Sequence, residues 1–427
     1  MRIVGPAGLC PRPYGSVDKR ALTLRRAQGE RKIVNEIRPR PARAELVEAR
    51  ARRKSTVPYE GGGRGAGLRT PITLLVTLLM CTAGCTTKWT LRSAAPEIGL
   101  QWPFQPNPAK LSSVRSLTGL VPSTDTGSVL KAVVFGSEPE DRNAFVLPVA
   151  VATGPDGRIA VADLGRRCVH LYLPGQQRYL RLTGSDRNQM ASPVGVIFEE
   201  DLRLYVADSA GQLLAFGADG TLLLTMTQAG PERLQRPTGI TYSPAKKLLY
   251  VVDTLANRVH AFRTTGEYAF SFGERGNGAG RFNFPTHVFR SAAGELYVTD
   301  ALNFRIAIFD EDGHVRGAFG RHGDGSGDLA MPKGVVVDRD GVVYVVDGLF
   351  DNVQLFSREG VFLLTLGKRG TDFGEFWLPA GAFINDTREL FVCDTYNRRV
   401  QVFKVTEQYL ERPEEGPAIR EGVGGEP

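Results

Sequence analysis

Two sets of residues in this chain have the types and spacing for chemistry, and they lead in opposite directions. Asp163, Asp208, Asp253, Asp300, Asp347 and Asp394 follow one another at intervals of 45, 45, 47, 47 and 47 residues. Three of them carry an amide and a guanidinium just downstream: Asn257 and Arg258, Asn303 and Arg305, Asn397 and Arg399. Such a grouping invites a catalytic reading. Its recurrence argues instead for a structural role, because Asp and Asn side chains bond turn amides, Arg pairs with a neighbouring Asp, and every copy of a repeated unit needs the same fastening. The second set breaks the repetition. A proline leads each copy (Pro148, Pro193, Pro237, Pro285, Pro332, Pro379), followed by Val149, Val194, Thr238, Thr286, Lys333 or Ala380, and then by Ala150, Gly195, Gly239, His287, Gly334 or Gly381. His287 and Lys333 are the outliers at these two positions, and with Thr238 and Thr286 they are candidates for ligand binding.

A further binding candidate lies in three Gly-rich stretches, GERGNGAG from Gly273, GRHGDGSG from Gly320 and GKRGTDFG from Gly367. Their backbone amides are expected to form anion-binding nests, with Arg275, Arg321, His322, Lys368 and Arg369 adding charge. No metal and no cofactor is expected. The remaining histidines, His170, His260, His314 and His322, fall on predicted strands or in loops, which does not suit a three-His zinc site. No nucleophile elbow, P-loop or HExxH stretch is present.

The elements that position these residues repeat with them. Each copy reads as Pro and a first strand, a turn such as Asp340-Gly341, and a second strand ending on the Asp (LYVVD, LYVTD, VYVVD). A polar turn, a third strand (VHAF, IAIF, VQLF) and a fourth (YAFSFG, FLLTLG) complete it. Pro suits the first residue of a strand, where no ladder donor is needed, and Gly permits close backbone approach. Stacked copies of one supersecondary unit are the mark of repeat architectures, and four strands in each of six copies predict an all-β, six-bladed β-propeller. The unit P-x-G-[IV] … [LV]-Y-V-[AVT]-D-[ST]-x-x-N-R-[IV]-x-x-F resembles the NHL repeat over residues 147–403, and the layout resembles bacterial NHL-repeat lipoproteins. Related propellers include zinc-dependent amidating lyases, in which His follows Pro directly at several blades; here no residue after those prolines is His. Ring closure is expected from an N-terminal strand, VLKAVVFG at residues 129–136, which would complete the sixth blade.

Charge separates the ends of the chain from its body. The net is +7 overall, yet the first 70 residues alone carry +11, so the remainder is slightly acidic. That argues against nucleic acid as a partner, since phosphate binding relies on basic surfaces. Residues 1–68 are Arg-rich without apolar periodicity and read as a spurious or disordered extension. Residues 69–85 combine a basic start with an apolar run, ITLLVTLLM. This run is too short to span a bilayer but suits a secretory signal. The signal ends in a stretch that resembles a lipobox, with Cys85 as the lipidated residue and Thr82 where Leu is usual. The expected location is the bacterial cell envelope, with the protein held to the outer membrane by the lipid. Residues 86–128, with WPFQPNP from Trp102, read as a linker, and 406–427 as a disordered acidic tail. Cys168 and Cys393 are expected near one another, as buried thiols or a disulfide. The leading reading is a non-enzymatic binding or scaffold protein for a protein or small polar ligand. A propeller lyase or hydrolase working at the channel mouth is the alternative, and RNA binding a weaker one.

Overall fold

The computed structural model describes residues 87–123, 143–185 and 188–406. The signal and Cys85, residues 129–136 and the acidic tail lie outside the described residues. Six antiparallel sheets form the blades of a propeller; five have their four strands in consecutive order, and the sixth takes its outer strands from the N-terminal part of the chain. Blade 3 is typical, with strands a to d at Pro237–Ser243, Leu248–Asp253, Arg258–Arg263 and Tyr268–Phe272. Tight polar turns join the strands, and the b and c strands are buried along nearly their whole length.

The core lies between blades rather than within them. Six clusters of buried apolar side chains each draw on two neighbouring blades. The aromatic near the end of each c strand fills such an interface: Phe309 packs 4.9 Å from Phe272 and 5.4 Å from Phe282 of the preceding blade, and Phe356 lies 5.2 Å from Phe319. Burying each ring contributes about 1.5–3 kcal/mol. Towards the axis the a strands converge so closely that a Cβ on Gly239 would stand 2.5 Å from the Cα of His287 on the next blade. That crowding is why the second residue after the proline is so often Gly.

Closure is made by an N-terminal strand, but not the expected one. The sixth blade has a, b and c strands at Ala382–Ile384, Glu389–Asp394 and Arg399–Val405, and its d position is filled by Leu111–Pro122. We label the N-terminal strands β1 (Trp89–Ala94), β2 (Gln101–Trp102) and β3 (Leu111–Pro122). β3 pairs with the last strand from Val400↔Leu117 to Val405↔Leu111, and β1 and β2 pair with β3 in turn. Residues 87–123 are therefore part of the propeller and not a linker. Trp102 is buried against Phe403 at 5.7 Å, and Trp89 packs on Tyr179 of blade 1 at 5.0 Å, so the segment spans both sides of the seam. Leu117 and Leu120 complete the apolar cluster between blades 6 and 1. The polar run LSSVRSLTGLVP concealed this strand, because only part of its length faces the core.

Each of the six aspartates is fully buried and receives backbone amides from the chain entering its own blade. Asp253 accepts from the amides of Gln235 and Arg236 at 2.7 and 2.9 Å, and Asp163 from Val146 and Leu147 at 2.7 and 3.0 Å. The side-chain partner varies. Arg305 and Arg399 reach Asp300 and Asp394 at 2.9 and 2.7 Å, Gln212 reaches Asp208 at 2.9 Å, and His170 lies 3.4 Å from Asp163. In blade 3, the expected Arg258 partnership is replaced by His260, 3.8 Å from Asp253. There Asn257 reaches across instead, accepting the amide of Phe284 of the next blade at 3.0 Å. Cys168 and Cys393 are free and buried, and burial pushes the Cys393 thiol up.

Two outcomes follow. Leu117→Ala should lower stability by about 2–5 kcal/mol in chemical denaturation, whereas the exposed Leu223→Ala should change it by about 0.5 kcal/mol or less; equal effects would mean that β3 does not close the ring. The second concerns the seam pair. Burial alone would raise Asp163 and lower His170, but their mutual contact, aided by the Val146 and Leu147 amides and by Cys168, holds the carboxyl below 3.8 and the imidazole above 6.5. The imidazole's contribution is full below the unfolded-state value of 6.5 and fades as pH rises through the raised folded value. That of the carboxyl is full above 3.8 and fades as pH falls through its lowered value. The stability gap between wild type and His170→Gln should therefore be wide near about pH 6 and narrower near about pH 9. A gap independent of pH would show that the ring is neutral throughout.

Candidate functional site

The d-to-a loops and b-to-c turns lie on one face, around the mouth of the axial channel. Below the mouth the channel is narrow and mostly apolar. It holds a cavity of about 20 Å³, enough for one water, bordered by Val196, Ile240, His287, Val288 and Phe383 among others. His287 faces this cavity, and removal from water pushes its imidazole down to about 4, so it is neutral at pH 7.

The mouth above it is polar and cationic. Lys333 is half-buried with no hydrogen-bond or ion-pair partner among the described residues. Burial, and then the charge of Arg236 two blades away, hold its ammonium below the usual lysine value, with Asp347 opposing them. Arg236 directly precedes the a strand of blade 3 and Lys333 is the second residue of the a strand of blade 5, so both stand at the loop-face ends of the innermost strands. Arg236 stacks on Phe284, 5.5 Å from the ring centroid. Thr286, at the position equivalent to Lys333 in the adjacent blade, has a buried Oγ1 with no partner, while the Thr238 hydroxyl is taken by Thr254 at 2.9 Å.

The Gly-rich loops do not form anion nests. In the loops from Gly273 and Gly367 the carbonyls point inward around a guanidinium. Arg305 donates to the carbonyls of Asn277, Gly278 and Arg281 at 2.8–2.9 Å, and Arg399 to those of Asp372 and Glu375 at 2.7 and 2.9 Å. Asn303 and Asn397 secure the same loops through Gly276 and Gly370. In the loop from Gly320, the Asp328 carboxylate occupies the Gly325 amide and pairs with Arg321 at 2.6 Å. Of the remaining loop candidates, Lys368 faces Glu375 at 3.4 Å, His322 packs on Phe304 at 4.3 Å and Arg369 lies over Trp377 at 5.8 Å. Arg275 is exposed and pairs with no carboxylate among the described residues.

One feature of this face has no counterpart in the sequence reading. The residue two beyond the blade Asp is a large, exposed apolar one in four successive blades: Leu255 (51%), Leu302 (53%), Leu349 (62%) and Tyr396 (52%). Blades 1 and 2 have Gly165 and Ala210 there. Trp377, itself 39% exposed, packs against Tyr396 at 5.7 Å. The signal was available in the register of the repeat, because an unpaired Leu at one fixed turn position in three copies is not dictated by the turn.

Among the described residues no three His, Cys, Asp or Glu side chains are grouped to hold a metal. No family model and no curated protein matches the chain. Similar solved structures include virginiamycin B lyase from Staphylococcus aureus, at 12% identity over 61% of this chain and 96% of that one, TM-score 0.46. An auxiliary nutrient binding protein from Bacteroides thetaiotaomicron shares 14% identity over 63% and 72% of the two chains, TM-score 0.48. A gluconolactonase from Xanthomonas campestris shares 17% over 69% and 98%, TM-score 0.46. At these identities no activity carries over; the chain is a six-bladed β-propeller, and propellers similar to it include both enzymes and a binding protein.

Proposed function

We propose that this is an exported NHL-repeat propeller, anchored in the cell envelope through a lipid on Cys85, that acts as a non-enzymatic binding or scaffold protein. Its loop face takes a protein or small polar ligand with an anionic group. Export and anchoring rest on the apolar run ending in CTAGC. The binding role rests on one observation: Lys333 and Arg236, both at loop-face ends of innermost strands, pair with no carboxylate among the described residues. Holding two like charges close is unfavourable without a counter-charge, and a ligand anion supplies it. The neutral His287 and the narrow apolar channel below offer a ligand shape and little further charge.

The proposal is tested by comparing capture from an envelope extract by wild type and by Lys333→Glu/Arg236→Glu. A specific partner should be retained by the first and lost by the second at unchanged melting temperature. Binding should also weaken at a lower alkaline pH than an ordinary lysine at 10.5 would dictate, because deprotonation of Lys333 removes the charge and its value is lowered. Retention of every partner by the double variant would sink the reading.

A further inference from the structure

Resting on that reading of the loop face, the structure assigns a partner chemistry: we infer that the mouth and the apolar arc form one composite site for a protein segment presenting a carboxylate among apolar side chains. Three observations converge. The arc of Leu255, Leu302, Leu349 and Tyr396 spans four of the six blades, and Gly348, next to Leu349, lies against Lys333, whose Cγ is 3.5 Å from where a Cβ on that glycine would stand. A small ion would engage the mouth alone, whereas a surface of this width matches a polypeptide that sets apolar side chains on the rim and a carboxylate at its centre. Interfaces with a central desolvated anchor and a surrounding rim that excludes water have this arrangement.

The second observation is charge complementarity. On the opposite face cations are paired across blades: Arg358 with Glu295, Arg339 with Asp386 and Arg388 with Asp340; Lys246 and Asp312 are likewise joined. On the loop face Arg236, Arg258, Lys333, Arg369 and Arg398 pair with no carboxylate among the described residues. Lys247 and Lys404 of the opposite face also pair with no carboxylate, and Glu232, Asp324 and Asp372 of the loop face pair with no cation among the described residues, yet the larger group of unpaired cations lies on the face that bears the exposed leucines. Unlike charges steer encounter and fix register, so the segment that docks here is acidic. The third observation separates protein from nucleic acid. Single-stranded RNA binds by stacking bases on aromatic rings or guanidinium planes; such planes stand beside the arc at Trp377 and Tyr396, but three of the four arc residues are leucines, which offer none.

The test is selection of short random peptides on the purified full chain. The expected consensus carries one Asp or Glu flanked by Leu, Ile or Phe. Affinity of the selected peptide should fall about ten-fold or more in Leu302→Ser/Leu349→Ser, and again in Lys333→Met, with Lys333→Arg retaining most of it. These exposed or rim substitutions should leave the melting temperature unchanged, which keeps the comparison valid. A consensus without a carboxylate, or peptide binding indifferent to the leucine substitutions, overturns the composite site. So does leucine-dependent binding of phosphatidylglycerol vesicles in preference to any peptide, which makes the arc a membrane contact. If the leucine variants bind as wild type while Lys333→Glu/Arg236→Glu still loses its envelope partner, the inference fails and the loop-face reading survives; if neither set alters capture, both fail.

Discussion

Apolar burial between neighbouring blades is the interaction on which the rest of this structure depends. A single blade has two apolar faces and no interior of its own, so it is stable only between two others. Six clusters at six interfaces satisfy that requirement, and they do so only when the ring is closed. The seam between blades 6 and 1 is therefore as necessary as any internal interface. It is built from the most distant parts of the folded chain: Leu117 and Leu120 of β3 meet Cys393, Val400 and Val402 on one side and Val151 and Val161 on the other. A non-local contact of this kind costs closure entropy that grows only slowly with the length of the loop, and a whole interface of apolar area offsets it.

Closure also constrains the turns. The chain enters each blade just before a proline, close to the axis, and there its amides have no ladder partner. A buried backbone donor must be satisfied, and the aspartate at the end of strand b does this in every blade. What balances the carboxylate is less restricted, and the blades use a histidine, a glutamine or an arginine at neighbouring positions on strand c. Where the partner is an arginine, burial lifts the Asp300 and Asp394 carboxyls above their ordinary value even so. The same arginine also organises the Gly-rich loop above it, so loop shape on the binding face is set from beneath by residues of the blade.

These relations explain what the sequence revealed and what it hid. The fold was legible because the Asp, the leading Pro and the c-strand aromatic recur at nearly fixed intervals, each answering a need that every blade shares. The closing strand was hidden because it is an unrepeated element: LSSVRSLTGLVP lacks the Pro, the Asp and the steady alternation of the other blades, while the more strand-like VLKAVVFG stood nearer the first repeat. The Gly-rich loops misled for a different reason. Glycines permit both amide-inward and carbonyl-inward turns, and only the position of Arg305 or Arg399 decides between them. At the mouth, Lys333 and His287 stood out as departures from the repeat, but their environments differ in a way composition does not show: one lies among cations, the other in a narrow apolar channel.

The loop face illustrates why net charge is a poor guide to binding in a repeat protein. The body of the chain is slightly acidic in total, yet many of its acids serve the aspartate fastenings, the cross-blade pairs of the opposite face and pairs within the Gly-rich loops such as Arg321–Asp328 and Lys368–Glu375, where exposed ion pairs contribute about 0–1 kcal/mol each. Subtracting those leaves cations on the loop face with nothing assigned to them. The apolar arc follows the same logic. A turn position that tolerates Gly165 and Ala210 in two blades has no structural need for leucine in three others and tyrosine in a fourth, and exposing them costs solubility without adding to any core. Symmetry accounts for the residues that the blades share, and the apolar breaks in it fall on one face, in four successive blades, beside cations that pair with no carboxylate among the described residues.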